Sequence, residues 1–482
     1  MNQKSYPGSG GGGGPPPLSR LIWVFAVACI LLVVAGLLRA GRKEKRVSEV
    51  ASSIPAETDA AGGSLSSLPS RPPRTFSPVS TLTPEEIVAG KVSQFGRSRR
   101  NIARGIGKRL QKQVPSEVEK FFDAVEAGKW EDIKAQWDKL SPHSAQYESS
   151  SNHWEEMDPF WPAVLDAYGA AEQAHLWPAQ KLLDYGNAIL DSLRPGMVYV
   201  GGTDNGRWIP ELLNETSDGE QHVILTQNAL ADSRYLDFVN TLYGDRLTTL
   251  NADDSQAAFQ SYVADAQKRL EHDLQFPDEP KQVHRGEDIQ MSDGKVQVGG
   301  QVSVMLINAS LLQRLMQKNP DLSFALQESF PLRSTYPDAV PLGPIMELGA
   351  RDPQAEFTPE RAAQSLQYWQ AAAQQLLEAP QAADSQDTLK AYSHDTVAAA
   401  NLLAAHNFNG EAEQAYRLAS QLWPENPEPV SGLADLLVGA GHQSEAKQLL
   451  QDFARQHPTQ QQDLQRISFS WQLLMTPGKT AP

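Results

Sequence analysis

The chain has 482 residues and a single cysteine, Cys29. No disulfide can therefore form within it, and cysteine usage does not identify the redox compartment. Its ten histidines are scattered with no His-x-x-x-His pair. With thiolate ligands also lacking, a structural zinc site is excluded and no metal ligand is assigned. No Gly-x-Ser-x-Gly elbow, P-loop or Rossmann glycine spacing occurs, and no Cys-His pair is available as nucleophile and base. No catalytic residue and no cofactor is assigned on this basis.

Positive charge is scarce over most of the length. Residues 1–113 carry 17 Lys and Arg against 6 Asp and Glu, whereas the remainder carries 25 against 52. An acidic body excludes nucleic acid as a partner, because phosphate binding requires clustered cations.

Long apolar runs are also lacking, with one exception. "LIWVFAVACILLVVAGLL", residues 21–38, holds no charge and as a helix would measure about 27 Å, close to the hydrocarbon thickness of a bilayer. It ends in "RAGRKEKR" with no small-residue cleavage site, so the expectation is a retained single-pass anchor over 21–39 in a bacterial inner membrane. Arg39, Arg42, Lys43, Lys45 and Arg46 follow it, and the positive-inside rule would place the body in the cytoplasm.

The expected organisation begins with a disordered Gly/Pro tail over 1–20 and, beyond the anchor, a basic and Pro/Ser-rich linker over 40–114. Within that linker, residues 90–113 hold eight basic residues and no acid. They read either as a contact for anionic headgroups or as a solvated linker. Residues 115–193 show apolar positions at three-to-four-residue spacing and predict helical hairpins. "NHWEEMDPFWP" (152–162) reads as packed core, with a sugar-stacking platform as the alternative.

Strand and helix patterns then alternate over 194–350. "MVYVGG", "HVILTQ", "KVQVGG", "LSFALQ" and "PIMELG" are short strand-like runs separated by helical stretches, which predicts a small-sheet α/β domain. The first run opens into "GGTDNGRW". Its glycines are spaced G-G-x-x-x-G, and no Lys-Ser/Thr pair follows. One reading is a tight turn with Thr203 or Asp204 capping the next helix. The other is a ligand contact built from Gly201, Gly202, Asp204, Asn205 and Arg207. Gln227 and Asn228 would join these at the carboxyl edge of the second strand, where ligands bind in open α/β sheets.

The final segment, 351–482, contains a repeat. Residues 401–427 align with 435–461 at an offset of 34, placing Ala412 on Ala446, Tyr416 on Leu450 and Pro424 on Pro458. That period and those small residues predict a helical tetratricopeptide-like solenoid. The expected fold class is thus a small-sheet α/β domain flanked by helical hairpins, with this C-terminal α-helical solenoid and one N-terminal transmembrane helix.

The stretches "PGMVYVGGTDNGRWIPELL…HVILTQNALADSRYLDFVNTLYGDRL" and "VSVMLINASLLQRLMQKNP…FALQESFPLRSTYPDAVPLGPIMEL" together carry a family resemblance. Over about residues 185–350 the chain resembles the soluble C-terminal portion of bacterial membrane glycosyltransferases similar to protein O-mannosyltransferases. Those enzymes carry many membrane helices and a catalytic acid near the first of them, and neither is present here. The resemblance therefore implies an accessory or sensing domain with its body outside the cytoplasm, contrary to the charge rule. The functional expectation is a membrane-anchored binding or scaffold protein, accessory to envelope glycosylation or assembly and engaging a protein partner through its repeats. A glycan is the expected small ligand. The alternative is an enzyme acting on a glycan or lipid-linked sugar at the sheet edge around Asp204.

Overall fold

A computed structural model describes residues 82–145, 156–202, 204–284, 287–292, 295–328, 336–349, 356–378 and 386–475. Thr83 starts the first helix by a capping box. Its hydroxyl accepts from the Glu86 amide (3.2 Å), and the Glu86 carboxylate accepts from the Thr83 amide (2.8 Å). The helix that follows, α1 (Pro84–Leu110), buries Val88, Val92, Phe95, Ala103 and Ile106 along one face.

The basic segment 90–113, expected as linker, therefore lies largely within a core helix. Several of its cations are matched by acids from elsewhere in the chain. Arg100 pairs with Glu119 (3.0 Å), Glu126 (2.8 Å) and Asp123, and Arg104 pairs with Glu119 (2.8 Å). Arg99 is fully buried.

Around α1 lie α2 (Ser116–Ala127), α3 (Trp130–Ala145), α4 (Trp161–Leu176) and α5 (Ala179–Ser192). Gly128, at φ 74°, ends α2 in the left-handed conformation that glycine adopts without penalty. The aromatic residues fill this layer. Trp137 stacks on Tyr168 at 3.8 Å and on Trp161 at 5.2 Å between ring centroids. Phe160 and Trp161 are buried as packed core, while residues 152–155 of that stretch lie outside the described residues.

The sheet begins with β1 (Val198–Gly201). It continues through α6 (Asp204–Glu215), β2 (Val223–Thr226), α7 (Ser233–Tyr243) and α8 (Ala252–Gln275). Next come a separate hairpin, β3 (Asp288–Ser292) with β4 (Lys295–Gly299), and then α9 (Gly300–Lys318). The strands β5 (Phe324–Leu326), β6 (Ala339–Leu342) and β7 (Ile345–Leu348) complete the sheet, in the order β2-β1-β5-β7-β6. β1 runs parallel to both neighbours, with Val198 opposite Val223 and Phe324, while β7 and β6 are antiparallel. β1 is buried along its whole length, as its unbroken apolar run requires.

The last part holds α10 (Pro359–Leu377), α11 (Gln386–Ala405), α12 (Asn409–Leu422), α13 (Pro427–Gly439), α14 (Gln443–Gln456), α15 (Gln461–Ile467) and α16 (Phe469–Met475). Ala412 and Ala446 are fully buried at equivalent points of α12 and α14. α11 is shared between layers. Its Ala398 and Leu402 pack into the sheet's core, its Tyr392 into the core of the first helices, and its Leu403 into the core of the last ones.

The expected fold class is corrected on two counts. The structure is 72% helical with a small mixed sheet, so it is predominantly α rather than α/β. The reason is that strands of three to five residues are outweighed by helical layers before and after them. The expected transmembrane helix is likewise not supported, since no helix among the described residues is long and apolar enough to cross a membrane. Residues 21–38 lie outside the described residues.

Candidate functional site

β1 and β5 are parallel neighbours, so their carboxyl ends open side by side. From β1 the chain passes through α6 to β2 on one flank, while β5 lies on the other. A crevice at such a switch point is where open sheets place their ligands.

Gln327 bridges the two strand ends. Its amide N–H donates to the Val200 carbonyl (3.1 Å), extending the ladder by one bond. Its Oε1 accepts from the Gly202 N–H (3.1 Å), and its Nε2 donates to Asp395 Oδ1 (2.7 Å) and to the Tyr185 hydroxyl oxygen (3.1 Å). The Tyr185 hydroxyl donates to Asp395 Oδ2 (2.8 Å) and accepts from Asn205 Nδ2 (3.0 Å). One network thus ties α5, β1, α6, β5 and α11 together.

The "GGTDNG" glycines make room for this network. None of the three adopts a left-handed φ. A Cβ on Gly206 would lie 1.7 Å from Gln327 Oε1, and one on Gly202 would lie 2.6 Å from Glu328 Oε1. A Cβ on Gly201 would meet the Gly206 carbonyl at 2.7 Å, where strand and helix backbones cross. The motif is a close-packing device with free space for no side chain.

Five of the seven expected ligand residues converge here. Gly201, Gly202 and Asn205 sit as described. Asn228 Nδ2 donates to the Gly202 carbonyl, and Gln227 Nε2 donates to the Glu328 carbonyl (3.0 Å). Asp204 opens α6, and burial pushes its carboxyl up to about 6 against the pull of Arg207; its charge bears on Glu172 of α4. Thr203 lies outside the described residues.

Arg207 is placed elsewhere. Its guanidinium pairs with the buried Asp166, lies 3.5 Å from Glu211 and rests over the Tyr235 ring at 5.3 Å. Asp166 also binds Arg99 (3.2 Å), which reaches Glu211 (2.7 Å) and Glu215 as well. Two guanidinium groups thus face three carboxyl groups inside the protein. Burial drives Glu211 upward, the direction that lets a proton neutralise the surplus negative charge. At the far end of α6 a cavity of about 370 Å³ opens between Ser98, Glu215, Gln221 and Arg246.

Three functional candidates that sequence reasoning missed complete the carboxyl edge. Glu328 follows β5, is 7% exposed, and its Oε1 has no hydrogen-bond partner. Burial, reinforced by Asp395 and Glu428, pushes its carboxyl up to about 8 although His394 opposes this. His394 Nδ1 lies 2.8 Å from Glu428 Oε2. Burial works against its charge, but Glu428, joined by Glu328 and Asp395, carries the imidazole up to about 9. Asp395 is raised by burial to about 6, while its bonds from Tyr185 and Gln327 pull the other way. Only the spacing of His394 and Glu428, 34 residues and equal to the repeat, signalled a link between any of these.

Comparison with known proteins finds no matching family model, no matching curated protein and no matching solved structure.

Proposed function

We propose that the chain is a binding protein that holds a small polar ligand at the carboxyl edge of its sheet, while its C-terminal helical hairpins engage a protein partner. One observation carries the reading. Glu328 presents a carboxyl oxygen that is buried and unpartnered at the strand switch point, beside a glycine that leaves room for it. Buried polar atoms nearly always have a partner, so an orphan at the carboxyl edge of the sheet marks where a ligand group would sit. Binding is favoured over turnover because both Asp395 oxygens are already occupied, by Tyr185 and by Gln327. Asp204, the centre of the enzymatic alternative, is held up to about 6 by burial, with Arg207 pulling the other way. The role as an accessory to envelope glycosylation or assembly rests on the resemblance over 185–350.

The test is a thermal-shift panel of sugars, amino acids, nucleotides and amines on the full chain and on Gly202→Ala. The added methyl would lie 2.6 Å from Glu328 Oε1 and 2.7 Å from its Cγ, so the Glu328 side chain must move away. At least one polar class should stabilise the parent and fail to stabilise the variant. Equal stabilisation of both, or of neither, would remove the reading.

A further inference from the structure

The cavity of about 370 Å³ at the far end of α6 lies where the chain turns back into β2, away from the edge that holds Glu328. Its walls come from α1, from the turn between α6 and β2, and from the end of α7. Most of that wall is already committed. Asn214 exchanges two hydrogen bonds with the His222 backbone (2.8 and 3.1 Å), and the Thr216 hydroxyl donates to the Leu212 carbonyl (2.6 Å). The Glu215 carboxylate accepts from Ser98 Oγ and from the Arg99 guanidinium, so its charge is met inside the protein. These groups form a fixed frame.

Two lining side chains keep unused capacity. The Tyr243 hydroxyl has no hydrogen-bond partner among the described residues, although the residue is only 6% exposed. Arg246 is exposed, donates from Nη1 to the Gln221 carbonyl (2.8 Å) and rests 5.1 Å over the Tyr243 ring. Its guanidinium pairs with no carboxylate among the described residues. Elsewhere Arg99, Arg100, Arg207 and Arg269 each meet carboxylates, in a body where acids outnumber cations by 52 to 25 after residue 113. On α1, Lys91 donates to the Thr216 carbonyl (2.9 Å) and hydroxyl (3.2 Å), which adds a second cation behind that wall.

We propose that this cavity is a second ligand site, for a small molecule bearing an oxyanion group, held by Arg246 at the mouth and by the Tyr243 hydroxyl inside. The uncommitted groups are donors and their charge is positive, so the ligand supplies acceptors and negative charge. The guanidinium fork suits a carboxylate or a phosphate, and the assay separates the two. The volume is at the small end of ligand cavities, which suits a metabolite-sized anion. None of the residues of the carboxyl edge takes part, so this site stands or falls independently of that one.

The experiment is isothermal titration of the full chain with succinate, glycerol phosphate, inorganic phosphate and glycerol, at low and high salt. At least one of the anions should bind and glycerol should not, with affinity falling as salt rises. Arg246→Gln, at an exposed position, should weaken that anion by about tenfold or more, the loss of a charged hydrogen bond. Tyr243→Phe, which removes only the hydroxyl, should weaken it several-fold. Gly202→Ala should leave it unchanged, because that glycine lies at the other end of α6. Phosphates binding ahead of succinate would identify a phosphoryl group, and the reverse a carboxylate. Anion binding unchanged in both Arg246→Gln and Tyr243→Phe would overturn the assignment, as would glycerol binding as tightly as the anions. Loss of binding in Gly202→Ala but not in Arg246→Gln would overturn it by moving the anion to the carboxyl edge. Failure of every anion would reduce the cavity to a solvent-filled crevice and overturn it as well.

Discussion

Replacing Glu328 with glutamine removes a proton equilibrium while nearly preserving shape. Burial holds this carboxyl near 8 in the folded protein, against an ordinary value of 4.5. Between those values the native state keeps a proton that the unfolded chain releases. The native state then binds more protons than the unfolded state, so stability falls as pH rises, by about 1.4 kcal/mol per pH unit for one group. From pH 5 to pH 8 the loss amounts to at most about 4 kcal/mol, and less as pH 8 is approached. Glutamine carries no such term. The variant should differ from the parent by under about 1 kcal/mol at pH 5 and be favoured by roughly 3 kcal/mol more at pH 8. Asp395 and His394, raised to about 6 and about 9, add slopes of the same sign in their own windows. They remain in both proteins and cancel in the difference apart from the part of His394's shift that Glu328 itself supplies. Urea unfolding at pH 5, 6.5 and 8 measures it. Parallel stability curves for parent and variant would refute the claim that Glu328 is held protonated.

Arg99→Met leaves Asp166, Glu211 and Glu215 with one guanidinium among them and should cost about 3–5 kcal/mol in urea unfolding. Gly206→Ala forces a methyl onto Gln327 and should cost about 1–3 kcal/mol, with the loss of any ligand-induced thermal shift. Ala446→Leu overpacks a fully buried position of α14 and should cost about 1–3 kcal/mol. Limited proteolysis of that variant should cut first after residue 427 and spare 190–350, because α11 lies between the two regions.

The carboxyl edge was partly legible because local chemistry announces it. A β-branched run ending in two glycines marks a strand end, and "TQN" after the second run places amides at the same edge. Gly201, Gly202, Asn205, Gln227 and Asn228 are accordingly found together. Arg207 misled because a cation after a glycine loop looks like an anion ligand. Its partners, Asp166 and Glu211, arrive from one distant helix and from its own. The segment 90–113 misled for the same reason, since eight cations with no local acid look solvated until Glu119, Asp123 and Glu126 fold against them. β6 escaped notice because Pro341 breaks its apolar run. As the terminal strand of the order, it tolerates a residue that cannot donate to the ladder. Glu328 follows β5 whereas His394 and Asp395 lie on α11, and only the tertiary fold brings α11 against the end of β5.

The most direct test of the central claim is a crystal structure of the full chain with the tightest-binding compound from the panel. The account predicts a polar ligand atom within about 3 Å of the Glu328 carboxyl, beside Gly202. A ligand seated instead in the cavity beside Arg246, with Glu328 Oε1 still unpartnered, would contradict it.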